Sequence, residues 1–168
     1  MPPSGDSLRH LVFVLALLAS GCVYGFAGGG LPPHIRTVAV LPFENETPAT
    51  TLQQELLERM RREIQSRLGL RDAPEGRADA VVRGRIVSYD ADIPIAYSAD
   101  RTQSTTARRR LRITVDVEIV DQANDRVLWS RRALPGEGDY NERSEGDGRR
   151  QAIDKLVSDV IAGAQSQW

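Results

Sequence analysis

The clearest pattern in the chain is the alternation of apolar and polar residues between Arg108 and Asp121. Its apolar positions are Leu111, Ile113, Val115, Val117 and Ile119, separated by Arg112, Thr114, Asp116 and Glu118. Successive side chains of a strand point to opposite faces of a sheet. The alternation therefore predicts a strand with one buried face and one exposed face.

Three other segments are predicted to be strands. Residues 35–43 contain a continuous apolar run and form the first strand, which ends at Pro42 and the turn residues that follow it. Residues 80–89 form the second, with a continuation past Pro94 to Tyr97 left open. Residues 127–134 form the fourth strand. Its pattern is broken by the proline and glycines of residues 135–138. The polar residues 98–107 are predicted to be the tip of a long hairpin.

Two segments have helical periodicity. In residues 51–68 the apolar positions recur every three or four residues: Leu52, Leu56, Leu57, Met60, Ile64 and Leu68. This spacing predicts one apolar stripe on a helix, with Thr51 and Gln54 as a capping box and Gly69 as the stop. A second helix is predicted from about Ser144, with its own stripe: Ala152, Ile153, Leu156, Val157, Val160, Ile161 and Ala164.

The order of these elements is β-α-β-β-β-α. Three consecutive strands and two amphipathic helices predict a single α+β domain, in which both helices pack on one face of a four-stranded mixed sheet. The other face then carries the outward-pointing side chains, which are Arg83, Arg85, Arg110, Arg112, Thr114, Asp116 and Glu118.

An apolar run of nine residues, 11–19, ends just before the only cysteine of the chain, Cys22. A membrane-spanning helix needs about 20 apolar residues, so this run fits the core of a secretory signal instead. Small residues at 19–21 lead into Cys22, as in the lipobox of bacterial lipoproteins, whose cysteine is acylated after cleavage. The alternative is an ordinary signal peptide with an incidental cysteine.

The lipoprotein interpretation divides the chain into three parts. Residues 1–21 are the signal peptide, and residues 22–34 are an acylated, glycine-rich and flexible tether. Residues 35–168 are the folded domain. Stable attachment to a membrane needs at least two acyl chains, and a bacterial lipoprotein typically carries three.

Composition argues against most catalytic chemistry. The net charge is −1, so no bulk basic field attracts nucleic acid. Acylation of Cys22 leaves no thiol, and His34 is the only histidine after residue 21, which excludes most hydrolytic triads and zinc sites. We therefore expect no enzyme, no cofactor and no metal. The sequence leaves open the alternative of a paired acid/base site, which would use carboxylates among Asp90, Asp92, Asp116 and Glu118. Exposed carboxylates, however, usually serve only to solvate the surface.

Several segments together resemble one family. They are CVYGFAGGGLPPHIRTVAVLPFENET at residues 22–47, ADAVVRGRI at 78–86, LRITVDVEIVD at 111–121 and the late helix. The chain resembles the LPS-assembly lipoprotein LptE family over most of its mature length. The strongest part of the resemblance is the lipobox cysteine followed by Tyr24, Phe26, the glycines and the first strand.

The resemblance implies a function without catalysis. Members of the family sit at the outer membrane and plug the lumen of LptD, a large β-barrel that inserts lipopolysaccharide into the outer leaflet. It implies an LptD-type barrel and lipopolysaccharide as partners, and acyl chains such as palmitate on Cys22 at the periplasmic face. Val23 follows the cysteine where an aspartate would favour inner-membrane retention, which points to the outer membrane.

Arginines are the candidate contacts for lipopolysaccharide or the barrel, because guanidinium groups bind phosphates and carboxylates by bidentate hydrogen bonds. The candidates are Arg83, Arg85, Arg108, Arg109, Arg110 and Arg112. The alternative is that these side chains only solvate an exposed face and discourage pairing at a sheet edge.

Two other classes of envelope lipoprotein begin with a similar strand. CsgG-type secretion channels would need additional alternating segments to build a transmembrane barrel. LpoB-type activators of peptidoglycan synthases usually have a longer tether than the dozen or so residues that start at Val23. The sequence therefore favours the LptE interpretation over a channel subunit or an enzyme activator.

Overall fold

A computed structural model of the chain describes residues 31–96, 108–141 and 144–166. Its strands are β1 (Thr37–Val40), β2 (Glu44–Asn45), β3 (Arg71–Asp72), β4 (Ala80–Ala96), β5 (Arg108–Asp121) and β6 (Arg126–Asn141). Its helices are α1 (Leu52–Leu68) and α2 (Glu145–Gln165), and a 3₁₀ turn covers Glu75–Arg77. Cys22 and the hairpin tip predicted at 98–107 lie outside the described residues.

The strands form one mixed sheet in the order β3-β1-β4-β5-β6, with β2 paired to β4 farther along that strand than β1. β1 is parallel to β3 and β4, whereas β4, β5 and β6 are antiparallel. The α+β class, with two helices and a mixed sheet, is confirmed. The prediction of four strands is wrong, because the sheet has six. The two additional strands have two residues each, which is too short for any hydrophobic period.

β5 has the bounds that its alternation predicts. Its five inward residues, Leu111, Ile113, Val115, Val117 and Ile119, are at most 3% exposed. They share one core with the apolar stripes of both helices. The helices therefore cover one face of the sheet, as predicted, and the polar residues of β5 lie on the other face.

The ends of α1 follow the sequence only in part. Gly69 ends the helix in the left-handed conformation, at φ 67°, which glycine adopts without the steric cost of a Cβ. The predicted capping box is wrong, because Thr51 makes no side-chain capping bond. Its backbone is helical, at φ −77° and ψ −19°, whereas a capping side chain normally needs an extended backbone.

β6 continues through the proline and glycines that were expected to end it. The strand reaches Asn141 because α2 packs directly on its glycines. A Cβ on Gly136 would lie 2.3 Å from the carbonyl oxygen of Ala152, and a Cβ on Gly138 would lie 1.9 Å from that of Gly148. Pro135 is tolerated because β6 is an edge strand of the described sheet, where a missing N–H breaks no ladder bond.

No helix among the described residues is both long and apolar enough to cross a membrane.

Candidate functional site

The face of the sheet opposite the helices is densely charged. We call it the charged face and define it by the outward residues of three strands: Arg83, Arg85, Arg110, Arg112, Asp116, Glu118, Glu137 and Asp139. The period of two in β4, β5 and β6 places these side chains on one surface. Arginines and carboxylates stand opposite each other on neighbouring strands, where side chains are close enough to pair.

In the first third of β4, two arginines bind carboxylates of β5. Arg83 Nε lies 2.6 Å from an oxygen of Glu118, and Arg85 donates to Asp116 Oδ2 from Nε at 3.0 Å and Nη2 at 2.9 Å. The other oxygen of Asp116 accepts the backbone N–H of Ala133 at 2.8 Å. That backbone hydrogen bond, followed by the bond from Arg85, lowers the pKa of Asp116 below its usual range.

Near the start of β5, the pairs link β5 to β6. Arg110 forms a bidentate contact with Asp139, at 2.7 and 3.2 Å, and also lies 3.3 Å from Glu137. Arg112 lies 2.7 Å from Glu137. The hydrogen bonds from Arg110 lower the pKa of Asp139, so this carboxylate is ionised at neutral pH. The charged face therefore carries many charges that neutralise one another.

The predicted run of three arginines is not one cluster. Strand alternation places Arg109 on the side of the sheet that carries Leu111, where it pairs with Asp92. Arg108 and Arg110 lie on the charged face, but only Arg110 is paired there. Arg108 makes no ion pair within the described part of the chain. Of the six arginines named from the sequence, five already have a carboxylate partner.

A groove of about 450 Å³ opens on the charged face, between the β1–β2 connection and β6. Arg83 and Arg85 line it together with Leu41, Pro42 and two further arginines, Arg131 and Arg132. Both of these are exposed, and neither forms an ion pair with a described residue.

Sequence reasoning missed Arg131 and Arg132, although a signal was present. The polar residues 130–132 break the alternation of β6. In the structure this break is a bulge opposite Asp116, with Ala133 at φ 50°. The bulge places the side chains of Arg131 and Arg132 at the groove.

Asp116 is suited to remaining ionised rather than to acting as a general acid. Asp116 has a lowered pKa, whereas a general acid at neutral pH needs a raised one. Within residues 31–96, 108–141 and 144–166, no group of three or more His, Cys, Asp or Glu side chains could hold a metal ion. The geometry suits electrostatic contact with a polar or anionic surface.

Comparison with known families identifies the chain. The sequence model described as LptE, lipopolysaccharide-assembly, matches residues 35–162, which is the whole of the domain predicted at residues 35–168 except its last six residues. The chain belongs to the LptE family. The resemblance inferred from the sequence is confirmed, and the protein is a lipopolysaccharide-assembly lipoprotein of the cell envelope. A search of curated proteins found no match.

Two structures of PelC share the fold of this LptE-family chain, and a third solved structure is less similar to it. The PelC dodecamer from Paraburkholderia phytofirmans matches with a TM-score of 0.54 at 15% identity, covering 82% of this chain and 95% of that one. A variant of the same dodecamer matches with a TM-score of 0.53 at 17% identity, covering 84% and 94%. Lipoprotein GNA1162 from Neisseria meningitidis is 15% identical with a TM-score of 0.45, covering 75% and 95%.

Proposed function

We propose that the protein plugs an LptD-type outer-membrane β-barrel from the periplasmic side, helps to assemble it, and takes part in inserting lipopolysaccharide into the outer leaflet. Acyl chains on Cys22 would hold it at the inner surface of the outer membrane. Family membership supports the role in lipopolysaccharide assembly. The partnership with a barrel rests on the chemistry of the charged face.

The observation that carries the proposal is the internal pairing of that face. A plug must bury a polar surface against the polar wall of a barrel lumen. Burying an unpaired charge is costly, whereas a paired and hydrogen-bonded charge is tolerated. Arg83, Arg85, Arg110 and Arg112 each bring a carboxylate partner. The face can therefore enter a polar lumen without leaving its own charges unsatisfied.

Lipopolysaccharide would bind where cations are still available. Its phosphates and carboxylates are suited to the guanidinium groups of Arg131 and Arg132, which line the groove beside Arg83 and Arg85. Arg108 is the other cation of the charged face that lacks an ion pair in the described chain. We therefore assign lipopolysaccharide contact to Arg131, Arg132 and Arg108, and barrel contact to the paired arginines. Arg109, which pairs with Asp92 on the other side of the sheet, is not part of this surface.

The test is co-expression with the barrel and purification from detergent-solubilised outer membrane. The variant Arg83→Glu/Glu118→Arg preserves the ion pair but exchanges its ends, so we expect normal folding and weaker co-purification of the barrel. Arg62→Glu is the matched control, because Arg62 is exposed on α1 away from the sheet face. Full recovery of the barrel with the swapped pair, or no barrel with the native chain, would contradict the plug.

Lipopolysaccharide binding needs a separate measurement. We expect Arg131→Glu/Arg132→Glu to lose most of the binding of purified lipopolysaccharide while the barrel still co-purifies. Equal binding by this variant and by the Arg62→Glu control would move the lipopolysaccharide contact away from the groove.

A ring-forming or regulatory lipoprotein is the second candidate. It is favoured by the fold shared with the PelC dodecamer and agrees with a secretion-channel subunit of CsgG type or an LpoB-type synthase activator. Sedimentation of the purified chain separates the candidates. A monomer that gains mass only with the barrel supports the plug, whereas a closed oligomer of the chain alone, or recovery of a peptidoglycan synthase, supports this second candidate.

A further inference from the structure

The backbone of Ala133 is strained, and a carboxylate of the neighbouring strand holds it. Ala133 has φ 50°, in the left-handed region that glycine adopts without cost and that a residue with a Cβ normally avoids. Such a conformation persists only where the surrounding structure enforces it, and it is most frequent at functional sites. The backbone N–H of Ala133 donates to Oδ1 of Asp116 at 2.8 Å, which is a contact of this kind.

Asp116 is itself fixed by a second partner. Arg85 donates from Nε and Nη2 to the other oxygen, Oδ2, at 3.0 and 2.9 Å. One oxygen of the carboxylate therefore binds an arginine of β4, and the other binds the backbone of β6. Among the carboxylates of the charged face, Asp116 is the one whose side chain accepts a backbone N–H of the described chain.

The bulge that Asp116 holds carries cations of the groove. Two residues of β6, Arg132 and Ala133, stand opposite Asp116, where a regular ladder would have one. Bulges re-aim side chains and are frequent beside functional sites. Arg131 and Arg132 line the groove. The pKa of Asp116 is lowered first by the bond from Ala133, next by Arg85 and also by the charge of Arg132, so that guanidinium group lies close enough to act on the carboxylate.

We propose that Asp116 is the positioning residue of the groove: it holds the bulge in the shape that presents Arg131 and Arg132 to a phosphate group of lipopolysaccharide. This inference rests on the proposed binding of lipopolysaccharide in the groove, and it names the group that is bound there. Two adjacent guanidinium groups supply two positive charges, which match a phosphate monoester of about −1.5 to −2 at neutral pH better than a single carboxylate. Because Arg85 neutralises Asp116, the carboxylate repels the phosphate less than its charge alone would predict.

Charge and position predict opposite effects when Asp116 is removed. If charge alone mattered, removing any carboxylate from the groove would strengthen the binding of an anion. Glu118 is the matched control, because it lines the same groove and pairs with an arginine, Arg83, but its side chain makes no bond to the described bulge. We expect Glu118→Ala to bind lipopolysaccharide more tightly than the native chain. Asp116→Ala should bind about tenfold more weakly than Glu118→Ala, because the hydrogen bond from Ala133 to a charged group is lost.

Two substitutions at Ala133 leave every charge of the groove in place. Valine opposes the left-handed conformation, because a branched Cβ is poorly tolerated there, whereas glycine adopts it without strain. We expect Ala133→Val to weaken binding in the native background, and Ala133→Gly to restore most of the binding when it is added to Asp116→Ala. Ala133 is exposed, so neither substitution alters the core. If Asp116→Ala does not fold, Ala133→Val decides, and native affinity in that variant would overturn the proposal.

The experiment measures the binding of the full chain to purified lipopolysaccharide and to the same lipopolysaccharide after its phosphates have been removed. We expect Asp116→Ala to lose affinity only for the phosphorylated form, which a general loss of structure would not produce. Inorganic phosphate is the competitor, and it should displace the bound molecule only at a far higher concentration than phosphorylated lipopolysaccharide does. Equal potency would assign the groove to free phosphate and overturn the lipid headgroup as its ligand.

Three results would overturn Asp116 as the positioning residue: binding by Asp116→Ala as tight as by Glu118→Ala, an equal loss for both forms of lipopolysaccharide, or no recovery when Ala133→Gly is added. Each of these, with binding by the native chain intact, would remove the role of Asp116 and leave the groove as the lipopolysaccharide site. If the native chain binds neither form, the proposed function of the groove fails, and this inference fails with it.

Discussion

Gly163 of α2 lies directly against the indole of Trp129 in β6. A Cβ on this glycine would come within 2.3 Å of the indole Cε2, which real side chains do not tolerate. Trp129 is 7% exposed, so its ring fills the contact between the last turns of α2 and the sheet. Glycine lowers the intrinsic stability of a helix. At this position, however, the absence of a side chain allows Trp129 to pack closely against α2.

We predict that Gly163→Ala destabilises the domain by about 1–3 kcal/mol, the usual cost of overpacking a core. This cost exceeds the gain of about 1 kcal/mol in helix propensity. Gly146→Ala in the same helix is the control, because its Cβ would meet nothing nearer than 3.7 Å. Urea unfolding should show opposite signs for the two variants. A stabilising Gly163→Ala would mean that Trp129 can move aside.

A second glycine tests the packing of β6 on α2. We predict that Gly138→Ala costs about 3 kcal/mol, because the added Cβ would meet the backbone of Gly148 rather than a flexible side chain. Gly76→Ala is the comparison, since nothing lies within 4 Å of its Cβ. Thermal unfolding should separate the two variants clearly, and similar melting temperatures would show that α2 is free to shift along β6.

Asp121 makes the stability depend on pH in the acid range. Its hydrogen bonds, first that from the Asn124 side chain and then that from His34, lower its pKa to about 2 despite the opposing effect of burial. A lowered pKa means that the folded state favours the ionised form. The contribution is therefore complete above about pH 4, the usual pKa of an aspartate, and is lost as the pH falls toward 2.

Asp121→Asn should be less stable than the native chain at pH 6, with the difference shrinking between about pH 4 and pH 2. Urea unfolding at several pH values measures it. Because the pKa values of Asp79, Asp116 and Asp139 are also lowered, the native chain will still lose stability in acid when Asp121 is replaced. A difference that stays constant across this range would exclude Asp121 as an ionised group in the folded state.

The ion pairs of the charged face should contribute little to stability by themselves. Arg83 is 58% exposed, and exposed pairs typically contribute about 0–1 kcal/mol. We predict that Arg83→Ala changes the free energy of unfolding by less than about 1 kcal/mol while weakening co-purification of the barrel. A large loss of stability with unchanged co-purification would make the pair a structural feature of the fold.

Local patterns in the sequence account for much of the fold. The alternation of β5 and the apolar stripes of both helices are periodic over many residues, and each gave the correct element and the correct buried face. Gly69 could be predicted as the end of α1 because the left-handed backbone conformation that ends the helix depends on that one residue being glycine. The segments at residues 22–47 and 111–121 also carried the resemblance to the LptE family, which the match over residues 35–162 confirms.

The partners of these elements were decided by the tertiary structure. β2 and β3 exist because neighbouring strands offer unpaired backbone groups, and β6 passes Pro135 because α2 covers its glycines. The arginines were visible in the sequence, but register determined that Arg110 is paired while Arg131 and Arg132 are not. Asp121 looked like any polar residue at a strand end until His34 was brought to it across 87 positions. A period is a property of one segment, whereas a pair depends on how two segments align, and that alignment is fixed only when the whole sheet forms.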